Sequence, residues 1–166
     1  GPTTLRRGLE LSRNAMTARL AYEMGIQRVV QYGQRLGVYD EDVPQVFSLA
    51  LGSGETTLLR LTSAYGVFVN GGRRVTPVFI DRVQDRYGRT QMRRDRRVCG
   101  DCNAGWRNGL RAPVLSDDRE QLIDPITAYQ IVSMSQGVVQ RGTATTVSSV
   151  GAPLGGKTGT TNDYLD

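Results

Sequence analysis

Apolar residues recur at helical spacing in five segments, each bounded by residues that start or stop helices. The first begins near Thr3 or Thr4, after Pro2, a residue suited to a first helical turn. The next two cover residues 15–24 and 26–36, each followed by a glycine that is typical of a helix end. A fourth begins at Thr56 or Thr57 and ends at Asn70-Gly71-Gly72, and a fifth opens at Asp124-Pro125 and runs to about residue 139.

Strand signals are fewer. Residues 76–83 are β-branched and aromatic and predict a strand, and Tyr87-Gly88-Arg89-Thr90 predicts a hairpin turn with a weak return strand. Residues 150–160 predict the end of another strand, while residues 84–116 predict a surface insertion or loop. Two or three strands beside five helices indicate an α/β fold of the α+β kind. A stable sheet needs three or more strands, so we expect a slice of a larger domain, incomplete on both sides.

Composition narrows the possible chemistry. The 166 residues are 39% hydrophobic and 22% charged, which is typical of an ordered globular chain. No stretch approaches the roughly 18 apolar residues of a membrane span, and no signal peptide opens the chain. Because there is no histidine, Ser-His-Asp and Cys-His catalysis and the commonest zinc and haem sites are excluded. We expect no metal and no cofactor.

The basic residues are almost all arginine. Lys and Arg total 21 against 16 Asp and Glu, a net charge of +5, and Lys157 is the single lysine. Arginine keeps its proton and presents a broad fork, whereas lysine is a compact ammonium with a tunable pKa. Lys157 is therefore the first candidate for chemistry, although a solvated strand end would also hold a lysine.

Two short motifs fit one kind of enzyme. Lys157-Thr158-Gly159-Thr160 places two hydroxyls on one face of an extended segment, with a glycine that lets a ligand approach the backbone. Ser12-Arg13-Asn14 is a weak signal alone, because a kink between helices would use the same residues. Serine-lysine acyl-transfer enzymes combine a nucleophile in S-x-x-K with an S-D-N-type triplet and K-T-G, and they need no histidine.

Across nearly its whole length the chain resembles the transpeptidase domain of class A penicillin-binding proteins. The resemblance is carried by residues 1–14 leading to Ser12-Arg13-Asn14, by residues 48–72, and by residues 156–163 with the K-T-G-T-T sequence. It implies the serine transpeptidase or β-lactamase-like fold, with a helical subdomain and part of the antiparallel sheet. It also implies that peptidoglycan stem peptides and β-lactam antibiotics are the molecules bound.

The resemblance assigns roles to individual residues. Such domains open the D-Ala-D-Ala bond with a serine and pass the acyl group to an amine. Ser12 and Asn14 would form the second motif, with Ser12 relaying a proton and Asn14 holding the substrate amide. Lys157 would bond Ser12, and Thr158 and Thr160 would hold the substrate carboxylate beside Gly159. The backbone N–H of Thr160 would be half of the oxyanion hole.

One element of the family pattern is missing from these 166 residues. No S-x-x-K occurs, because Leu154 stands three residues before the only lysine. We therefore expect the nucleophile on the remainder of the domain, before Gly1, and expect this chain alone to be inactive. The resemblance implies the periplasmic face of the bacterial inner membrane, with membrane contact only through an anchor outside this chain.

Other interpretations stay open at this point. A D,D-carboxypeptidase or a β-lactamase-like serine hydrolase would share the motifs. Cys99-Gly100-Asp101-Cys102 lacks the further ligands of a zinc site and predicts a local disulfide. The arginine run at residues 93–97 allows a non-catalytic Arg-rich binding module. Asp95 interrupts that run, Asp101 follows it and Trp106 is the only tryptophan, so we expect a solvated loop and no nucleic acid partner.

Overall fold

A computed structural model describes residues 1–100, 102–105 and 107–160. Asp101, Trp106 and the end of the K-T-G-T-T segment, residues 161–163, lie outside the described residues. The chain forms two compact units: Gly1–Val75 with residues from Gln121 onward, and Thr76–Glu120. The insertion predicted at 84–116 falls inside the second unit, and its status as an insertion stays a prediction.

The five helices expected from the sequence are all present in the first unit. They are α1 Leu5–Glu10, α2 Asn14–Met24, α3 Ile26–Arg35, α4 Leu58–Val69 and α5 Pro125–Arg141. Two 3₁₀ helices, Phe47–Leu51 and Thr145–Val150, accompany them. No helix in the described ranges is both long and apolar enough to cross a membrane.

Side-chain caps explain where three of these helices begin. The Thr4 hydroxyl accepts the Arg7 N–H at 3.2 Å, and the Thr57 hydroxyl accepts the Arg60 N–H at 3.3 Å. The Asp124 carboxylate accepts two N–H groups at the start of α5, where Pro125 has no N–H to satisfy. These are the start signals that the sequence displays.

The core of the first unit lies along α5 and under α3. Helices α1 and α4 pack against α5, while α2 and α3 pack against the first 3₁₀ helix. Buried residues along α4, α5 and the segment before α5 include Ala64, Val67, Leu122, Ala128, Val138 and Val139. A second cluster joins Ile26, Val30 and Leu49. Burial of these side chains fixes α5 as the support for the motif segments described below.

Gly72 ties the two parts of the first unit together. Its carbonyl accepts the N–H groups of Leu122 at 2.8 Å and Ile123 at 3.1 Å. Its φ is +84°, and a Cβ there would lie 2.0 Å from the Ile123 carbonyl oxygen. Only glycine fits this close approach of the two backbone segments.

The second unit contains a short antiparallel hairpin, β1 Arg82–Gln84 with β2 Thr90–Arg93. The Asp85 carboxylate closes its turn by accepting the N–H groups of Tyr87 and Arg89. The strand predicted over residues 76–83 was therefore too long, because only its last two residues pair. Cys99 and Cys102 form a disulfide, as the spacing predicted.

The strand end predicted over residues 150–160 is wrong for the described chain. Thr145–Val150 is a 3₁₀ helix, and residues 151–160 have no strand pairing. An extended segment becomes a strand only when a neighbour takes its hydrogen bonds, and no described segment does so. A backbone hydrogen bond to α5 holds it instead, from the Gly156 N–H to the Ser135 carbonyl at 3.1 Å. Helices beside a two-stranded antiparallel sheet confirm the α+β class.

Candidate active site

Ser12 lies at the break between α1 and α2. The Ser12 N–H donates to the Leu9 carbonyl at 3.1 Å, and the next N–H, of Arg13, donates to the Gly8 carbonyl at 2.8 Å. These bonds close the end of α1 and hold Ser12 at φ +50°, in the left-handed region. Such a conformation costs roughly 1–3 kcal/mol for a residue other than glycine, so the surrounding structure must enforce it.

The Ser12 side chain forms a hydrogen bond with a residue that is distant in the sequence. Lys157 Nζ donates to Ser12 Oγ at 2.6 Å across 145 positions of the sequence. The same ammonium donates to the carbonyl of Thr158 at 2.8 Å. Partial burial lowers the pKa of Lys157 from its usual value, because the charged form loses hydration. The two motifs singled out in the sequence therefore meet through a charge-assisted hydrogen bond.

The remaining motif residues lie at the surface of the first unit. Thr158 is exposed, and its Oγ1 lies 2.6 Å from Oγ1 of Thr143. Asn14, at the start of α2, is exposed, and so are Gly159 and Thr160. Within the described ranges no hydrogen bond joins Asn14, Gly159 or Thr160 to Lys157 or Ser12. The roles that the family resemblance implies for these residues stay predictions.

An ion pair with a buried carboxylate joins the ends of α1 and α5 next to the site. The Glu10 side chain is 2% exposed and binds Arg141 of α5 through both carboxylate oxygens, one of them 3.1 Å from Arg141 Nε. Arg6 approaches the same carboxylate at 3.7 Å. A Cβ on Gly137 would lie 2.1 Å from this carboxylate, so glycine at 137 makes room for it. The ion pair clamps the end of α1, two residues before Ser12, to the end of α5.

Sequence reasoning missed Glu10, Arg141 and Thr143. Arg6 and Glu10 are spaced i, i+4, which resembles an ordinary solvated pair on a helix surface. The available signal was Gly142-Thr143 directly after a helix that ends in arginine, because it places a hydroxyl in a tight turn. That signal is too common to have singled out these residues.

The arrangement suits proton transfer and the binding of an anion. Because Ser12 Oγ accepts a hydrogen bond from the ammonium, its own proton is free to be donated elsewhere. A compact cation bonded to the carbonyl of the exposed Thr158 attracts a carboxylate. An activated nucleophile is not part of the arrangement, in keeping with the absence of S-x-x-K from the 166 residues.

A family model described as the penicillin binding protein transpeptidase domain matches residues 1–165. This chain belongs to that family. Among curated relatives it is 45% identical to penicillin-binding protein 1A of Rickettsia bellii and 39% identical to the Neisseria lactamica protein of the same name. Both alignments cover 100% of this chain, but only 21% and 19% of the respective relatives. The chain thus spans about a fifth of the length of these penicillin-binding proteins.

Solved structures give the same picture. A crystal structure of penicillin-binding protein 1A from Haemophilus influenzae superposes with a TM-score of 0.79 at 28% identity, over 98% of this chain and 27% of that one. The D,D-transpeptidase domain of a peptidoglycan glycosyltransferase from Eggerthella lenta gives 0.71 at 21% identity, over 98% of this chain and 42% of that one, which shows the shared fold. The chain therefore carries part of the serine transpeptidase fold, as the motifs indicated.

Proposed function

We propose that this penicillin-binding transpeptidase chain contributes the second and third motif segments to a peptidoglycan D,D-transpeptidase. The observation that carries the proposal is the 2.6 Å hydrogen bond from Lys157 Nζ to Ser12 Oγ. It joins the two segments in a histidine-free site of the serine-lysine type.

The first half of the reaction forms an acyl-enzyme. A serine of an S-x-x-K segment outside residues 1–166 attacks the carbonyl of the D-Ala-D-Ala bond and passes its proton to the lysine of that segment. The bond to the leaving D-Ala nitrogen breaks, and Ser12 relays that proton to the amine. The Ser12 hydroxyl is free to do so because Lys157 occupies one of its lone pairs and leaves its proton available.

The substrate is held by the exposed part of the same motifs. The carboxylate of the terminal D-Ala would bind the hydroxyls of Thr158 and Thr160, with the charge of Lys157 close by. Asn14 would accept or donate to the peptide amide. The Thr160 N–H would stabilise the oxyanion that forms during attack, a contribution of about 3 kcal/mol where a single donor has been removed in other enzymes.

The second half returns the free enzyme. The amine of a second stem peptide attacks the acyl-enzyme, forms the cross-link and loses a proton, while the nucleophilic serine regains one. β-Lactams resemble the D-Ala-D-Ala unit and would form a slowly released acyl-enzyme at the same serine. We place this chemistry at the periplasmic face of the bacterial inner membrane, where peptidoglycan is the substrate.

The test uses a hybrid in which residues 1–166 replace the matching segment of the Rickettsia bellii relative. With a donor peptide ending in D-Ala-D-Ala and an amine acceptor, we expect D-Ala release and a new amide product. Ser12→Ala should lower the rate about tenfold or more. Ser149→Ala is the matched control, since among the described residues that exposed hydroxyl bonds only the Thr146 carbonyl.

Each alternative gives a different product. A D,D-carboxypeptidase would release D-Ala without a new amide even at high acceptor concentration, and a β-lactamase-like hydrolase would turn over penicillin repeatedly. A folded hybrid that neither releases D-Ala nor binds penicillin would overturn the proposed function.

A further inference from the structure

Thr143 contacts a candidate substrate-binding residue although it belongs to neither motif. It follows α5 in the turn before the second 3₁₀ helix, and its Oγ1 lies 2.6 Å from Oγ1 of Thr158. We infer that Thr143 is a positioning residue, which orients the Thr158 hydroxyl toward the substrate carboxylate. This inference rests on the proposed function.

The backbone at Thr143 is fixed on both sides. Its N–H donates to the Glu10 carbonyl at 3.1 Å, and the next N–H, of Ala144, donates to the Val138 carbonyl at 3.1 Å. Gly142 has no space for a side chain, because a Cβ would lie 2.3 Å from the Glu10 carbonyl oxygen. These contacts fix the position of Thr143 relative to the end of α1, and Ser12 follows that end by two residues.

The backbone of Thr158 is also restrained, so the orientation of its hydroxyl depends on the χ1 torsion of its side chain. Lys157 Nζ donates to the Thr158 carbonyl at 2.8 Å, and the Gly156 N–H donates to the Ser135 carbonyl. Rotation about χ1 decides whether the Thr158 hydroxyl or its methyl group faces a ligand. The hydrogen bond to Thr143 selects one of those rotamers.

Hydrogen-bond direction gives the contact its function. A carboxylate only accepts, so the Thr158 hydroxyl must donate its single proton to the substrate. Thr158 then needs a donor for its own oxygen, and Thr143 supplies one. The resulting chain runs from Thr143 through Thr158 to the carboxylate, and each bond polarises the next. The nearby ammonium of Lys157 favours the same bound anion.

The experiment compares Thr143→Val, which removes the hydroxyl at nearly constant shape, with Thr143→Ser, which keeps it. The matched control is Thr146→Val, an exposed threonine whose hydroxyl has no hydrogen-bond partner in the described chain. Acylation of the hybrid is measured with a penicillin and with the methyl ester of the same penicillin, which lacks the carboxylate. A melting curve is recorded for each protein.

Thr143→Val should lower second-order acylation by the free acid about fivefold, the effect of one neutral hydrogen bond, and leave the ester within about twofold of the parent. Thr143→Ser should restore the acid rate, and Thr146→Val should not change it. Equal losses for acid and ester, no loss for the acid, or a large fall in melting temperature would overturn the positioning role. A parent hybrid that is not acylated at all would instead overturn the proposed function, and the role of Thr143 with it.

Discussion

The contact between Lys157 and Ser12 is the smallest feature on which the proposed function rests. One ammonium satisfies the Ser12 oxygen and the Thr158 carbonyl, at 2.6 and 2.8 Å. The lysine ammonium can make both bonds because it is a compact charge with three N–H donors. A guanidinium is planar and wider, so it cannot occupy the same position. All the other basic residues of this chain are arginine. Replacing Lys157 by arginine therefore tests whether a lysine is required at this position.

Lys157→Arg in the hybrid should lower second-order acylation by a β-lactam about tenfold or more, a loss of ~1.4 kcal/mol of transition-state stabilisation. Thermal stability should change little, because Lys157 is exposed at the surface. Arg28→Lys, the reverse exchange at an exposed position, serves as the control. An acylation rate within twofold of the parent would show that Lys157 is an ordinary solvated residue.

The lowered pKa of Lys157 predicts a pH dependence. Burial disfavours the ammonium, so its charge is lost as pH rises through a pKa below the usual lysine value. Acylation should therefore show an alkaline decline that begins earlier than free lysine titrates. In Lys157→Arg the residual rate should lack this decline, because the guanidinium stays charged. An alkaline limb that is the same in both proteins would assign it to another group.

At the scale of elements, α1 and α5 are held together where the two motif segments meet. Glu10 ends α1 and Arg141 ends α5, and their charges pair almost out of contact with water on the carboxylate side. Removing one partner of such a pair leaves a buried charge without compensation, which costs more than the pair contributes when intact. The arrangement of Ser12 relative to Thr143 should depend on this pair.

Arg141→Met should lower the free energy of unfolding by about 2 kcal/mol, below the full cost for a buried pair because the arginine is half exposed and Arg6 partly compensates. Chemical denaturation of the hybrid and of its Arg141→Met variant measures this difference in the free energy of unfolding. Arg19→Met is the matched control, since its pair with Glu23 is exposed on both sides and should contribute little. Equal small effects at both positions would show that the Glu10 pair does not clamp the helices.

The sequence predicted those elements whose signals are local. Thr4, Thr57 and Asp124 cap helices through side chains that lie within three residues of the groups they bind. A strand at 150–160 would need a partner strand distant in the sequence. The local residue pattern does not show whether that partner is present, so it could not predict the strand correctly. The Glu10–Arg141 pair, which joins residues 131 positions apart, was invisible for the same reason. The meeting of Ser12 with Lys157 was anticipated only through the family motifs.

At the scale of the whole molecule, the chemistry and the disulfide belong to different units. Ser12, Thr143 and Lys157 lie in the first unit, while Cys99 and Cys102 lie in Thr76–Glu120.

Replacing both cysteines by serine in the hybrid should leave β-lactam acylation within about twofold of the parent, since neither cysteine belongs to a motif. Under non-reducing, denaturing conditions the unaltered hybrid should yield no free thiol from Cys99 or Cys102. Peptide mapping assigns the thiols to these positions. Two free thiols there, in protein isolated from an oxidising compartment, would contradict the disulfide.

The central claim is that this chain supplies two of the three motifs of a serine acyl-transfer site, and that the acylated serine lies elsewhere. Mapping the position of the penicilloyl group by mass spectrometry tests it most directly. After incubation with penicillin, the 166-residue chain alone should carry no adduct, and the hybrid should carry one on the serine of its S-x-x-K segment. An adduct on Ser12, or on any other serine of residues 1–166, would contradict the account.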